Sequence, residues 1–175
     1  MSKDLGKVHV LTGPGKGKTT AAFGLALRAA GHGLRVCIVQ FMKTDMTTGE
    51  SIAAKRIGEI RIVQFGTGRF LDPKNIKDED RKSANDALRH AKSLLEEGNC
   101  DLVILDEINL AASFGLIDPL AVISMLKSRK GGIEIVLSGR NAPKEFVEYA
   151  DYVSYIDNRK HPFDEGLKAR RGIEW

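Results

Sequence analysis

The residues from Leu11 to Thr20 read LTGPGKGKTT, and this stretch is the strongest indication of the fold in the sequence. It nearly fits the pattern G-x-x-x-x-G-K-[ST], in which a glycine-rich loop and a lysine hold phosphate groups. Counting back from Lys18, the first glycine of that pattern should fall at position 12, where this chain has Thr12. Gly13 comes one residue late. The stretch is therefore a compressed variant of the loop, with glycines at positions 13, 15 and 17.

The flanking sequence favours a phosphate site over a glycine-rich turn without function. Residues 7–12 predict a strand, and TTAAFGLALRAAG after the loop predicts a buried helix. When a strand is followed by a glycine loop and then by the start of a helix, backbone N–H groups and the positive end of the helix dipole point towards an anion. Lys18 is the expected catalytic residue, since its charge would reach the phosphates, and Thr19 would place a hydroxyl on Mg²⁺. The loop residues expected to bind the nucleotide are Gly13, Pro14, Gly15, Lys16, Gly17, Lys18, Thr19 and Thr20.

Short β-branched runs alternate with helical patterns along the chain, which predicts an α/β fold with a mostly parallel sheet of about six strands and helices on both faces. The length of 175 residues suits one P-loop NTPase-like (RecA-like) domain over residues 1–175. Loops 42–50 and 66–77 follow the second and third strands, at the sheet edge where α/β proteins bind ligands. The predicted strands are residues 7–12, 35–41, 60–65, 102–106, 134–138 and 152–156, and the predicted helices include residues 78–97, capped by Gly98, and residues 118–129, opened by Asp118-Pro119.

Composition narrows the class of protein. No apolar run is long enough to cross a bilayer, and the N-terminal residues lack the apolar segment of a secretory signal, so we expect a cytoplasmic protein without a membrane partner. The net charge is +4, but Lys and Arg are scattered among 23 acidic residues, which disfavours nucleic acid as a partner. Cys37 and Cys100 show no C-x-x-C pairing and are expected to be ordinary buried or semi-buried thiols.

Two further strand ends carry candidate site residues. The run DLVILDEIN predicts a buried strand ending in Asp106-Glu107, where P-loop proteins keep an acidic residue for Mg²⁺. An acidic pair that favours a helix dipole is the alternative. Beside Lys18 and Thr19 the metal interpretation is favoured, with Thr19 and Glu107 as the metal ligands. Arg140 in LSGRNAP is a candidate phosphate contact, or a solvated surface arginine.

Several stretches together resemble a known family. TGPGKGKTTAAFGLALRAAGHG, VQF, DLVILDEIN, LSGRNAP, ADYV and KHPFDEGLKARRGIEW, in this order and spacing, look like the P-loop type of ATP:corrinoid adenosyltransferase from the cobalamin pathway. The resemblance extends from Lys7 to Trp175. It implies that Co(I) of a reduced corrinoid attacks the 5′ carbon of ATP and expels the triphosphate intact. It also implies the compressed G-x-G-x-G-K-T spacing and a triphosphate bound in the reversed sense.

The resemblance implies further site residues and partners. Phe70 and Leu71, after the third strand, would keep water from the lower face of the cobalt, although Leu71 stands where many members have tryptophan. These two residues can also simply pack the loop down. The C-terminal segment 158–175 would pack near the active site, or form a solvated tail. A homodimer, Mg²⁺ or Mn²⁺, and a reductant protein such as a flavodoxin are implied as well. The further implied contacts to ATP or corrinoid are Arg28, His161 and Phe163.

Two other functions stay open from the residues. An ATP hydrolase or kinase would use Glu107 to orient water or an acceptor, and a non-catalytic carrier would bind ATP and hand the corrinoid on. The sequence shows no credible Ser–His–Asp or Cys–His arrangement. Adenosyl transfer requires none, because cobalt supplies the electron pair and the protein positions the substrates and stabilises the leaving group.

Overall fold

The computed structural model describes residues 5–45 and 47–175 and contains one sheet of six parallel strands. The strand order is β3-β2-β4-β5-β1-β6, and the sheet forms a single domain, as predicted. Residues 1–4, inside the predicted domain, and Met46, inside the predicted loop 42–50, lie outside the described residues. The strands are β1 (Val8–Thr12), β2 (Val36–Phe41), β3 (Ile60–Phe65), β4 (Leu102–Asp106), β5 (Glu134–Ser138) and β6 (Tyr152–Tyr155).

The helices include the three segments that the sequence predicted, although the one predicted at residues 118–129 ends at Lys127. The helix predicted at residues 78–97 has those bounds, and Gly98 ends it in the left-handed conformation with φ 70°. Asp118 accepts a hydrogen bond from the backbone N–H of Leu120 at 3.0 Å and caps the next long helix. The helices are α1 (Lys18–Gly31), α2 (Gly49–Ala54), α3 (Asp78–Glu97), α4 (Ile108–Ser113), α5 (Pro119–Lys127) and α6 (Lys144–Tyr149), followed by a 3₁₀ turn (Pro162–Glu165).

Side-chain alternation divides the core between the two faces of the sheet. In β2, Val36 and Ile38 pack with the buried alanines of α1, whereas Cys37 and Val39 pack with the cluster that contains α3 and α5. Because successive strand residues point to opposite faces, α1 and α2 cover one face and α3 to α6 cover the other. Among the described residues, none of the helices combines the length and apolar character needed to cross a bilayer.

The cysteine prediction was wrong. Cys37 and Cys100 form a disulfide with a Cα–Cα distance of 6.0 Å, and the described part of the chain has no free cysteine. The two residues are 63 positions apart in the sequence. They meet because β2 and β4 are neighbours in the sheet, Cys37 lies within β2, and Cys100 precedes β4 by two residues. A sequence motif could not show this pairing, since it depends on strand order.

Candidate functional site

The glycine loop packs against the chain that follows β6. The backbone N–H of Gly15 donates to the carbonyl oxygen of Ile156 at 2.8 Å. A Cβ atom on Gly13 would lie 2.4 Å from that same oxygen, and one on Gly15 would lie 2.4 Å from the carbonyl oxygen of Asp157. Gly17 has a φ of 119°, a conformation that favours glycine. Close backbone packing therefore requires glycine at positions 13 and 15, and the turn into α1 favours glycine at position 17.

Lys18 begins α1 and points into the loop. Its side chain is largely buried, with a relative exposure of 7%, and its Nζ donates to the carbonyl oxygens of Gly13 at 2.8 Å and Gly15 at 2.6 Å. Burial, and then the nearby Arg140 guanidinium, lower the pKa of Lys18 below its usual value. The ammonium is therefore held inside the curve of the loop, where solvent screens its charge weakly.

Side-chain alternation brings polar residues from neighbouring strand ends to the face covered by α1. Leu102 and Ile104 pack on that face, so Asp106 at the end of β4 points the same way. Gln40 of β2 is the register partner of Asp106, and Ser138 ends the adjacent strand β5. All three polar side chains are fully buried beneath the start of α1.

Asp106 is the centre of this polar cluster. Its Oδ1 accepts hydrogen bonds from the hydroxyls of Ser138 at 2.6 Å and Thr19 at 3.2 Å. Its Oδ2 accepts from Gln40 Nε2 and from Lys43 Nζ, both at 2.8 Å. Burial alone would raise the pKa of Asp106, but the Lys43 ammonium and these hydrogen bonds hold that pKa below its usual value. Both carboxylate oxygens are thus engaged within the protein.

Glu107 has a different environment from its neighbour. It has a positive φ of 64° and lines a cavity with Arg140 and Phe70. Burial, and then the charge of Asp106, raise the pKa of Glu107. Of the two predicted metal ligands, Thr19 donates its hydroxyl to Asp106, and Glu107 is the next residue in the chain after Asp106.

Unusual backbone conformations mark the same sheet edge. Among the described residues, the non-glycine positions with positive φ are Met42, Glu107 and Asn141, with φ of 58°, 64° and 53°. They follow β2, β4 and β5, which are consecutive strands in the sheet. Such conformations are costly for residues with a Cβ, and they concentrate at functional sites. They support a ligand site at the carboxyl ends of the strands.

Two cavities lie at this edge of the sheet, and the first of them includes residues of the phosphate loop. The first, of about 650 Å³, lies between α1 and α2 and includes Thr19, Thr20 and Trp175 in its lining. The second, of about 280 Å³, includes Phe70, Leu71, Glu107 and Arg140. Lys43 lines both cavities. The structure therefore brings Phe70, Leu71 and the predicted metal ligand Glu107 to one cavity, which shares Lys43 with the cavity at the loop.

The C-terminal segment contacts the loop at two points. Lys16 Nζ donates to Glu174 Oε1 at 3.0 Å and to the carbonyl oxygen of Ile173 at 3.3 Å. His161 and Phe163 line a third cavity, of about 280 Å³, that also includes Lys16. His161 Nδ1 accepts from the backbone N–H of Phe163 at 3.1 Å. These two predicted residues thus lie beside Lys16 but outside the cavity of Phe70 and Leu71.

Arg28 needs correction as a nucleotide contact within one chain. It lies in the last turn of α1, ten positions after Lys18, which is about 15 Å along the helix axis. Its side chain is exposed and lines a separate cavity with His9 and Glu134, at the opposite edge of the sheet. The resemblance implied this contact, whereas α1 carries Arg28 away from the loop.

Sequence reasoning missed three residues around Asp106. Gln40, Ser138 and Lys43 were not predicted as site residues, although loop 42–50 was expected to contact substrate. Gln40 and Ser138 are polar residues at or near the ends of apolar strands, so a search for polar strand ends on one face would have found them. No local pattern marks Lys43, because its partner is 63 positions away.

These features define an α/β nucleotide-binding protein of the P-loop class: a glycine loop between β1 and α1, a buried lysine within it, and a carboxylate on the hydroxyl of Thr19. A solved KaiC-like protein from Pyrococcus horikoshii has a similar fold, with a TM-score of 0.59 at 16% identity over 90% of this chain and 75% of that one. The sequence model of the family ATP:corrinoid adenosyltransferase BtuR/CobO/CobP matches residues 4–175, and the chain belongs to that family.

Curated relatives agree with this assignment. A corrinoid adenosyltransferase from Sinorhizobium is 38% identical over 97% of this chain and 80% of its own length. The corrinoid adenosyltransferase of Escherichia coli K12 is 36% identical over 97% of this chain and 86% of its own. The corrinoid adenosyltransferase of Salmonella typhimurium LT2 is 35% identical over 99% of this chain and 87% of its own length. The chain is thus a transferase whose family carries out ATP-dependent adenosylation of a corrinoid.

Proposed function

We propose that this site transfers the 5′-deoxyadenosyl group of ATP to the Co(I) of a reduced corrinoid and releases triphosphate. The observation that carries the proposal is the position of Lys18, which is buried in the loop and feels the charges of Arg140 and Glu107, two residues that line the cavity of Phe70 and Leu71. The first feature suits a triphosphate, and the second suits a large apolar partner that must approach it.

The proposed reaction forms one bond and breaks one. The cobalt electron pair attacks the 5′ carbon, a cobalt–carbon bond forms, and the 5′ carbon–oxygen bond breaks with its electron pair going to the triphosphate. No protein base is needed, because no proton is removed. Lys18, the backbone N–H groups of the loop and Arg140 would compensate the charge that grows on the leaving triphosphate. Arg140 is close enough for its charge to act on both Lys18 and Glu107.

Mg²⁺ or Mn²⁺ fits the oxygen donors at the loop. Thr19 and Glu107 offer a hydroxyl and a carboxylate, and Mg²⁺ in such sites takes one or two carboxylates, phosphate oxygens and waters. Among the described residues there is no group of three or more His, Cys, Asp or Glu side chains that could hold a metal ion. When bound, the ion would neutralise phosphate charge. Glu107→Gln should raise the Mg²⁺ concentration needed for half-maximal turnover, and an unchanged titration would remove Glu107 as a ligand.

The substrate-side residues keep the roles predicted for them. Phe70 and Leu71 would exclude water from the lower face of the cobalt, and His161 and Phe163 would contact substrate from the C-terminal segment. Phe70 is 96% exposed and Leu71 packs partly on the core, so Phe70 is free to cover a ligand. This exposure supports a role for Phe70 in substrate contact rather than in packing.

The homodimer and the reductant are proposed from the family, and the location stays the prediction made from the sequence. We infer a homodimer, a reductant protein such as a flavodoxin to supply Co(I), and a cytoplasmic location. Disulfides are rare in reducing cytosol. The state of Cys37 and Cys100 in cells, measured by alkylation on lysis, therefore tests the location: a fully oxidised pair would count against a reducing compartment.

One experiment separates the proposed transferase from its alternatives. The protein is incubated anaerobically with ATP, Mg²⁺ and chemically reduced cobalamin, the absorbance change on alkylation is followed, and the released phosphate species is identified. Adenosyl transfer predicts a cobalt–carbon bond and free triphosphate. Inorganic phosphate or a phosphorylated product would indicate a hydrolase or kinase, and binding of both ligands without alkylation would indicate a carrier.

A further inference from the structure

Lys43 makes an ion pair that the reaction described above does not require. It lies just after β2, and its Nζ is 2.8 Å from Oδ2 of the fully buried Asp106. The Lys43 side chain is 27% exposed and lines both cavities beside the phosphate loop. Lys43 therefore stands between the loop that would hold triphosphate and the cavity of Phe70 and Leu71.

The backbone of Lys43 is fixed by the loop that follows β3. Met42 turns the chain with a φ of 58°, and the backbone N–H of Lys43 donates to the carbonyl oxygen of Phe65 at 3.2 Å. A Cβ atom on Gly66 would lie 2.7 Å from the backbone nitrogen of Lys43. Glycine at this position therefore allows the loop that carries Phe70 and Leu71 to pack directly on Lys43.

These contacts form a continuous connection across the site. We propose that Lys43 is a positioning residue that couples the loop carrying Phe70 and Leu71 to the phosphate loop. The connection runs from Gly66 to the backbone of Lys43, through its ammonium to Asp106, and from Asp106 to the hydroxyl of Thr19. The assignment of a corrinoid to one end of this connection and of triphosphate to the other rests on the proposed function. The connection itself rests on the contacts.

Charge compensation explains why Lys43 matters to this connection. The other side chains that donate to Asp106 are Thr19, Gln40 and Ser138, which are neutral, so among the described contacts Lys43 supplies the positive charge. Removing one partner of a buried ion pair leaves an uncompensated charge. Asp106 would then be drawn towards water or another cation, and the Thr19 hydroxyl would lose its fixed acceptor.

A double-mutant cycle tests the coupling without any corrinoid. The variants are Lys43→Met, Asp106→Asn and the two combined, with Lys55→Met, an exposed lysine at the end of α2, as the charge-matched control. The readouts are the affinity for inorganic triphosphate with Mg²⁺, by calorimetry, and the thermal midpoint of unfolding. Lys43→Met should weaken triphosphate binding roughly tenfold in the wild-type background and much less in the Asp106→Asn background, because coupled sites are not additive. Lys43→Arg should retain most of the affinity.

Two results would overturn the proposal. Equal losses in both backgrounds would mean that Lys43 contacts phosphate directly, and a lower thermal midpoint with unchanged triphosphate affinity would mean a purely structural role.

A second pair of variants tests the far end of the connection. Gly66→Ala should weaken triphosphate binding through the displaced Lys43, whereas Gly58→Ala, with no atom within 4 Å of the added carbon, should not. Equal affinities in this pair would also contradict the coupling. Because no step uses cobalt, failure of adenosyl transfer would leave this test intact.

Discussion

At the residue scale, Asp106 and Glu107 show how one step along a strand end changes the chemistry of a carboxylate. Asp106 points under α1, where Lys43 and three neutral donors compensate its burial and lower its pKa. Glu107 is turned away by its positive φ, and burial together with the charge of Asp106 raises its pKa. Asp106 is therefore a fixed structural anion, and Glu107 is the carboxylate with coordination left to offer a ligand.

Lys18→Ala should reduce adenosyl transfer by more than about tenfold, because the variant removes the cation inside the phosphate loop. Lys18 is the first residue of α1 and belongs to neither apolar core cluster, so circular dichroism should show an unchanged fold. Lys82→Ala, at an exposed position of α3, serves as the control. Turnover near that of wild type in Lys18→Ala would contradict the assignment of the phosphate loop.

At the element scale, residues 170–175 form a strap over the phosphate loop. The Arg170 guanidinium and backbone N–H, and then the Lys16 ammonium, lower the pKa of Glu174 to about 2. The contribution of these contacts to stability is therefore complete above the ordinary pKa of a glutamate and is lost as the pH falls through about 2. At neutral pH Glu174 is ionised and holds Lys16, and Trp175 lines the first cavity.

Fluorescence of Trp175 should report the position of this strap, since the chain contains one tryptophan. Trp175 is 46% exposed, so releasing the strap should shift its emission to the red. We expect this shift for Glu174→Gln and for Lys16→Met, and not for Glu165→Gln, which changes an exposed carboxylate in the same segment. Unchanged emission in the first two variants would show that the ion pair does not hold the strap.

The disulfide links two neighbouring strands, β2 and β4, at the edge of the sheet opposite the site. Closing a loop of 63 residues is expected to add about 4 kcal/mol to the free energy of unfolding. Urea denaturation with and without a dithiol reductant should show this difference in the wild type and none in the Cys37→Ala/Cys100→Ala variant. Alkylation of both cysteines in the denatured, unreduced protein would disprove the bond.

At the scale of the whole molecule, the carboxyl ends of five strands bring most of the residues proposed for the reaction to one edge of the sheet. The phosphate loop follows β1, Lys43 follows β2, the loop with Phe70 follows β3, Glu107 follows β4 and Arg140 follows β5. Parallel strands make this possible, because each carboxyl end points the same way and each connection returns over a face. The chemistry is thus assembled from five connections that are distant in sequence.

Phe70→Ala should impair adenosylation far more when the enzyme receives Co(II) corrinoid and a mild reductant than when Co(I) is generated chemically beforehand. The reason is that a dry pocket is needed to keep water off cobalt while it is reduced, and chemical reduction bypasses that step. Phe70 is 96% exposed, so the thermal midpoint of unfolding of the Phe70→Ala variant should equal that of the wild type. Equal losses in the two assays would assign Phe70 to ATP placement or folding.

Local sequence signals determined much of this protein. Three strands and the long helix α3 have the predicted bounds, because β-branched runs and a three-and-four spacing of apolar residues are local properties. The glycine loop, Lys18 and Thr19 were found the same way. The helices α2, α4 and α6 were not delimited, since each has six residues, too few to show a helical period.

Tertiary structure alone decided which distant residues meet. The strand order places β2 beside β4, and that neighbourhood creates both the Cys37–Cys100 disulfide and the Lys43–Asp106 ion pair. The sequence by itself determined the local elements and the phosphate-binding motif, because these depend on neighbours in the chain. Pairings across the sheet depend on topology, which no local spacing encodes.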